Sequence, residues 1–97
     1  MAQFDLYRLG ESLAVDIQHD LLDRLKTHIV IPLIPEGEAP RPAARLNPIF
    51  VIKGLRHVLT PQFMAAVPSA ELGDRIGSLA SERDRVKAAV DLVFDGV

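Results

Sequence analysis

Apolar residues in the first part of the chain recur at every second position. Phe4 and Leu6 alternate with Gln3, Asp5 and Tyr7, and Leu13, Val15 and Ile17 alternate with Ala14, Asp16 and Gln18. A period of two sends one set of side chains to a buried face and the other to water, the pattern of a half-buried strand. Gly10-Glu11-Ser12 separates the two runs, so they read as an antiparallel hairpin. His28-Ile-Val-Ile-Pro-Leu33 is apolar on both faces and predicts a strand at the centre of the core. Pro32 has no N–H to give a ladder, so it belongs at a bulge, an edge or a strand end. Pro48–Ile52 and Leu55–Leu59 flank Lys53-Gly54, a two-residue hairpin connection in which glycine supplies a positive φ. Gln62–Pro68 is a weaker candidate strand. The stretch Pro35–Pro42 holds three of the seven prolines and should be extended and solvated.

The period changes near the C-terminus. Leu79, Val86, Ala89, Val90, Val93, Phe94 and Val97 follow three-to-four spacing, while Asp84, Arg85, Lys87, Asp91 and Asp95 fall elsewhere on the wheel. A helix over about 81–96 is expected, with Ser81 as N-cap, acids in its first turn and Gly96 as terminator. Phe94, Gly96 and Val97 set apolar groups at the end of that helix, where exposure is usual, which suits an interaction surface. The whole pattern predicts a mainly β fold with one C-terminal α-helix. A length of 97 residues leaves room for a single domain, 1–97.

Composition removes several classes of function. With no cysteine there is no disulfide framework, thiolate zinc site or cysteine nucleophile. No apolar run approaches the roughly 18–20 residues of a membrane span, and the first residues lack a basic, then apolar, leader pattern. A cytoplasmic protein is therefore expected. Eleven cations against thirteen acids, a net charge of −2, argues against direct binding of nucleic acid over a broad surface. The charge is uneven, however. Between Ala39 and Ala70 there is no acid, but there are Arg41, Arg45, Lys53 and Arg56. These four either scatter over the surface or form a docking face for an acidic partner.

Candidate chemistry is sparse. Asp16, Asp20 and Asp23 lack the glycine-rich spacing of a calcium loop, and Asp20 reads better as the cap of a short turn before Leu21-Leu22. His19, His28 and His57 are the available imidazoles, with neither a nucleophile motif nor ligand spacing around them. No metal, no cofactor and no catalytic residue is expected.

Two stretches carry a resemblance. Ala14-Val-Asp-Ile-Gln-His-Asp-Leu-Leu-Asp23, followed by His28-Ile-Val-Ile-Pro-Leu33, resembles the "VDVQSDIID…VIPL" pattern of the CcdB toxins. Met64-Ala-Ala-Val-Pro68, Leu79 and the ending Leu92-Val-Phe-Asp-Gly-Val97 resemble that family's "MASVP…L…INLMFWGI", and Leu46–Ile52 resembles its "LYPVVHI" strand. The resemblance covers nearly the whole chain in order. It implies an SH3-like barrel of the CcdB/MazF toxin type with a C-terminal helix, assembled as a homodimer. It further implies a plasmid-maintenance type of toxin that traps the DNA gyrase A subunit on cleaved DNA and is neutralised by a cognate antitoxin. Such a protein poisons a topoisomerase and is not itself an enzyme.

On that resemblance Leu21 and Leu22 match the family's Ile-Ile pair, and Phe94, Gly96 and Val97 match its terminal Phe, Gly and Ile. Asp91 stands where the family has Asn. Asp95 stands in place of a Trp that, in the dimer, stacks with its mate on a gyrase arginine. Arg41, Arg45, Lys53 and Arg56 become candidates for steering an acidic antitoxin tail. Two rival readings are a metal-independent ribonuclease of the same fold, drawing on His19, His57, Arg8 or Arg56, and an antitoxin-binding relative that no longer poisons gyrase.

Overall fold

In the computed structural model, which describes residues 2–96, the chain forms one curled antiparallel sheet, a half-barrel, with a single helix packed against it. The first hairpin pairs β1 (Asp5–Leu9) with β2 (Ser12–Asp16). β3 (Thr27–Pro35) is the hub: β2 lies along one side, while β6 (Ala65–Pro68) and β5 (Leu55–Leu59) share the other. β4 (Ile49–Ile52) closes one edge beside β5, and β7 (Arg75–Ser78) closes the other beside β1.

The centre of β3 explains its proline. β6 pairs with Thr27–Val30 and β5 with Leu33–Pro35, so Pro32 falls in the gap between the two partners. Its carbonyl accepts from the Thr60 backbone N–H at 3.1 Å and from Thr60 Oγ1 at 2.9 Å. No ladder donor is lost, because the strand changes neighbours where a donor would have been needed.

The β4–β5 connection is as tight as its sequence requires. Lys53 has φ 51° and Gly54 φ 80°, the two successive positive values of a type I′ hairpin turn. Lysine is not at ease there, so Lys53→Gly is expected to change stability little despite the added chain entropy of glycine.

Two expectations about local structure are corrected. The helix α1 spans Arg83–Asp95, after a 3-10 turn over Ala80–Glu82, so Ser81 is not its N-cap; Glu82 occupies that place and makes no side-chain cap bond. The N-terminal hydroxyl bond belongs to Ser78, whose Oγ accepts from Ala80 N–H at 3.0 Å. Gly96 ends the helix as expected, with φ 73° and its N–H bonded to the Leu92 carbonyl. Asp20 lies within the 3-10 turn Asp20–Leu22, and the cap is His19, whose Nδ1 accepts from Leu21 N–H at 3.1 Å.

The larger correction concerns the faces of the hairpin. Asp5, Tyr7, Ala14 and Asp16, the alternates expected in water, are all buried. Phe4, Leu6, Val15, Ile31, Leu33, Phe50, Ile52 and Leu59 form the core with Leu79, Val86 and Ala89 from the helical end. The polar alternates fill the second face of the sheet and satisfy one another there. Asp16 Oδ2 meets His28 Nδ1 at 2.7 Å, and both side chains are about 1% exposed. Asp16 Oδ1 accepts from the Gln18 N–H, while His28 Nε2 is buried with no hydrogen-bond partner among the described residues.

Asp5 sits beside this pair. Burial works against its charge, but Arg75 Nε at 3.0 Å, the Ala2 N–H and Tyr7 outweigh that and hold its carboxyl below the usual range. A depressed folded pKa stabilises the fold above the unfolded value; that contribution is lost as pH falls from about 4 through the folded value. Asp5→Asn should therefore flatten the acid limb of Tm against pH, by roughly 2–5 °C between pH 5 and pH 3. Thermal melts of both proteins across that window check it. Burial, followed by the charges of Asp5 and Asp16, pushes the Tyr7 hydroxyl up.

Candidate functional site

The chain from Gln18 to Thr27, which links β2 to β3, is almost entirely exposed, yet it carries Leu21, Leu22 and Leu25 at 86, 48 and 51% exposure. Exposed leucines need a rigid support if they are to act as a surface. Gln18 supplies it: its Nε2 donates to the carbonyls of Leu22 at 2.8 Å and Thr27 at 3.1 Å, and its Oε1 accepts from Ile29 N–H. Asp20 ties the same loop to the N-terminal segment, its Oδ1 accepting from the Gln3 N–H at 2.6 Å.

Gln3 also forms part of a groove beside the helix. Gln3, Phe4 and Ile17 make one wall, and Val86, Lys87, Val90 and Asp91 of α1 make the other, around a volume of about 170 Å³. That is smaller than the ~300–1,000 Å³ of a typical small-molecule site, and suits one or two inserted side chains of a larger partner. Phe4 adopts φ 71°, the left-handed region that bulky residues avoid, at a cost on the order of 1–2 kcal/mol. Its N–H bonds to the Asp16 carbonyl and its carbonyl accepts from Leu79 N–H at 2.7 Å, which ties the N-terminal segment to the helical end.

Beyond Asp91 the helix leaves the core. Val86 and Ala89 are fully buried, but Val93 is 39% and Phe94 70% exposed, with Asp95 and Gly96 open to solvent. Of the expected surface residues only Asp91 lines the groove; Leu21 and Leu22 lie in the turn that Asp20 ties to Gln3, and Phe94, Asp95 and Gly96 lie on the helix beyond it. Val97 lies outside the described residues. Sequence reasoning missed Gln3, Phe4, Ile17 and Lys87 as lining residues. That wall includes Phe4, whose left-handed backbone angle cannot be read from a phenylalanine in the sequence.

The remaining candidates do not gather. Arg41 and Arg45 lie in the solvated loop before β4, Lys53 at the hairpin turn, and Arg56 on β5 is held by Glu36 through bonds of 2.9 and 3.1 Å. That ion pair draws the Glu36 carboxyl down and the guanidinium up. His57 is buried with Nδ1 donating to the Leu55 carbonyl, and His19 caps its turn. A base and a free cation for phosphate chemistry are not brought together by these groups. Among the described residues no three His, Asp or Glu side chains converge as a metal site, and no helix is long and apolar enough to cross a membrane.

Comparison with known proteins places this architecture. Residues 3–96 match the family described as CcdB protein. The chain belongs to the CcdB family. Solved structures of similar fold include an endoribonuclease in complex with its cognate antitoxin from a mycobacterial species, at TM-score 0.79 and 12% identity over 97% of this chain and 94% of that one. An endoribonuclease from a mycobacterial species matches at TM-score 0.79 and 11% identity, over 97% and 90% of the two chains. The Mycobacterium tuberculosis toxin MazF-mt6 matches at 0.75 and 16% identity, over 94% of each. At these identities the likeness to MazF-type toxins is one of fold. The expected fold class, mainly β with one C-terminal α-helix, is the one found, with the sheet curled into a half-barrel.

Proposed function

We propose that this CcdB-family protein is the toxin of a toxin–antitoxin pair. It acts in the cytoplasm as a homodimer that binds the DNA gyrase A subunit and traps the gyrase–DNA cleavage complex. Leu21, Leu22, Asp91, Phe94, Asp95, Gly96 and Val97 form the gyrase-binding surface. The protein is a poison and not an enzyme, and a cognate antitoxin relieves it. The observation that carries this reading is the exposed end of α1: a helix that buries Val86 and Ala89 and then presents Phe94 at 70% exposure.

Asp95 tunes the strength of the contact. An aromatic side chain stacked on a guanidinium contributes about 0.5–2 kcal/mol, whereas an exposed carboxylate–guanidinium pair contributes roughly 0–1 kcal/mol. Asp95→Trp is therefore expected to increase trapping, by up to about tenfold in the concentration needed.

The test is a supercoiling reaction with gyrase, read as linear DNA after detergent and protease treatment. Linear product that vanishes on deletion of Gly96-Val97, with folding intact, supports the proposal. A truncated protein that still traps gyrase, or an intact one that cleaves RNA and leaves gyrase untouched, overturns it.

A further inference from the structure

Three leucines stand in the short link between β2 and β3, and only Leu21 and Leu22 belong to the proposed gyrase-binding surface. Leu25 is as exposed as Leu22. Among the described residues, the core and the partly buried side chains packed on it do not include Leu25. The fold therefore gains little from a large apolar group at this position, and a polar one would serve the link equally well. A single exposed leucine is ordinary on a protein surface, but one held next to two others extends an apolar patch.

Bonds on both sides fix where Leu25 stands. Its N–H donates to the Leu22 carbonyl at 3.1 Å, a turn that keeps the two Cα atoms within about 7 Å of one another. The same carbonyl accepts from Gln18 Nε2 at 2.8 Å, so one oxygen anchors both leucines to the chain just after β2. On the other side the Lys26 carbonyl accepts from the Ser69 N–H at 2.7 Å, directly after β6, and Thr27 then opens β3. Leu25 lies between these two pinned points. Its backbone has been ordered on folding, so little further backbone entropy is lost when a partner buries it.

We propose that Leu25 is a third apolar contact beside Leu21 and Leu22, buried with them when the DNA gyrase A subunit binds. The inference rests on the gyrase reading above and extends its surface from two leucines of this turn to three. It requires an apolar recess on the partner, since setting a leucine against charged groups would strip them of water without return. Truncating Leu25 removes area that is open to solvent in the free protein, and so acts on association and hardly on folding.

The test titrates the full chain and its variants into gyrase holoenzyme on supercoiled DNA and reads linear product against protein concentration. Leu25→Ala should raise the concentration for half-maximal trapping about three- to tenfold, and Leu25→Asp more than about tenfold. Leu25→Met, which keeps the apolar area, should stay within about twofold. Each variant should melt within about 3 °C of the parent. Leu55→Gln, at an exposed leucine of β5 outside this link, should trap at the parent concentration. A parent that traps gyrase, with Leu25→Asp trapping equally well, overturns the inference and leaves the gyrase reading standing. A parent that leaves gyrase untouched overturns both. An equal loss in Leu55→Gln also overturns the inference, because the effect then belongs to surface apolarity in general. Should Leu25→Asp fold poorly, the alanine and methionine variants decide, and equal trapping by both overturns it.

Discussion

Ile31→Ala is expected to cost this domain about 3–4 kcal/mol, a large fraction of the roughly 5–15 kcal/mol available to it. Ile31 is fully buried on the nine-residue central strand, paired with Val15, and belongs to the core that also holds Leu33 and Leu59. The truncation removes apolar contacts and leaves a void that a strand paired on both sides cannot close. Two residues earlier, Ile29 is 42% exposed, so Ile29→Ala should cost under about 1 kcal/mol. Urea denaturation of both variants, read as a fall in midpoint at constant slope, checks the contrast. Similar costs at the two sites would mean that β3 is not the hub described.

The buried Asp16–His28 pair should produce an effect of similar size with an opposite lesson. His28→Leu leaves the Asp16 carboxylate buried with only the Gln18 N–H to support it, and should destabilise by about 3–5 kcal/mol. Removing both partners, as Asp16→Val with His28→Leu, should recover most of that loss, since the desolvated charge goes with them. The expected outcome is therefore a double variant more stable than His28→Leu alone. Denaturation of the two variants decides it, and a double variant as weak as the single one would show that the pair is not the reason for the cost.

These two sites also mark where the sequence was and was not readable. Both hairpins, the central strand and the helix end could be read, because each rests on local chemistry: a period of two, Lys53-Gly54, the apolar run around Pro32, and Gly96. β7 was not anticipated, since Arg75-Ile-Gly-Ser78 is too short and too polar to show a period, and it exists only because β1 offers it an edge. The polar alternates of the first hairpin misled for a related reason. Periodicity assigns them to water, but the curl of the sheet encloses its second face, and Asp5, Asp16 and His28 tolerate that only by pairing across strands far apart in sequence. In the candidate site, the helix end was visible as an apolar tail where exposure is usual, whereas Leu21 and Leu22 were singled out only through the family resemblance. The groove beside the helix was not, because one wall joins the N-terminal segment at Phe4, whose left-handed backbone a phenylalanine in the sequence does not announce.

The groove joins residues from the two extremes of the chain: Gln3 and Phe4 on one wall, Val86 and Val90 on the other. During synthesis the first wall is made early, and the sheet around it can pair hairpin by hairpin as the chain emerges. The second wall does not exist until some eighty residues later, and β1 must meanwhile wait for β7. Closing so long a loop is among the slowest steps available to a chain of this size. A ribosome bearing this polypeptide therefore carries no assembled surface for most of translation. The groove is completed only near or after the end of synthesis, as one of the last features of the fold to form.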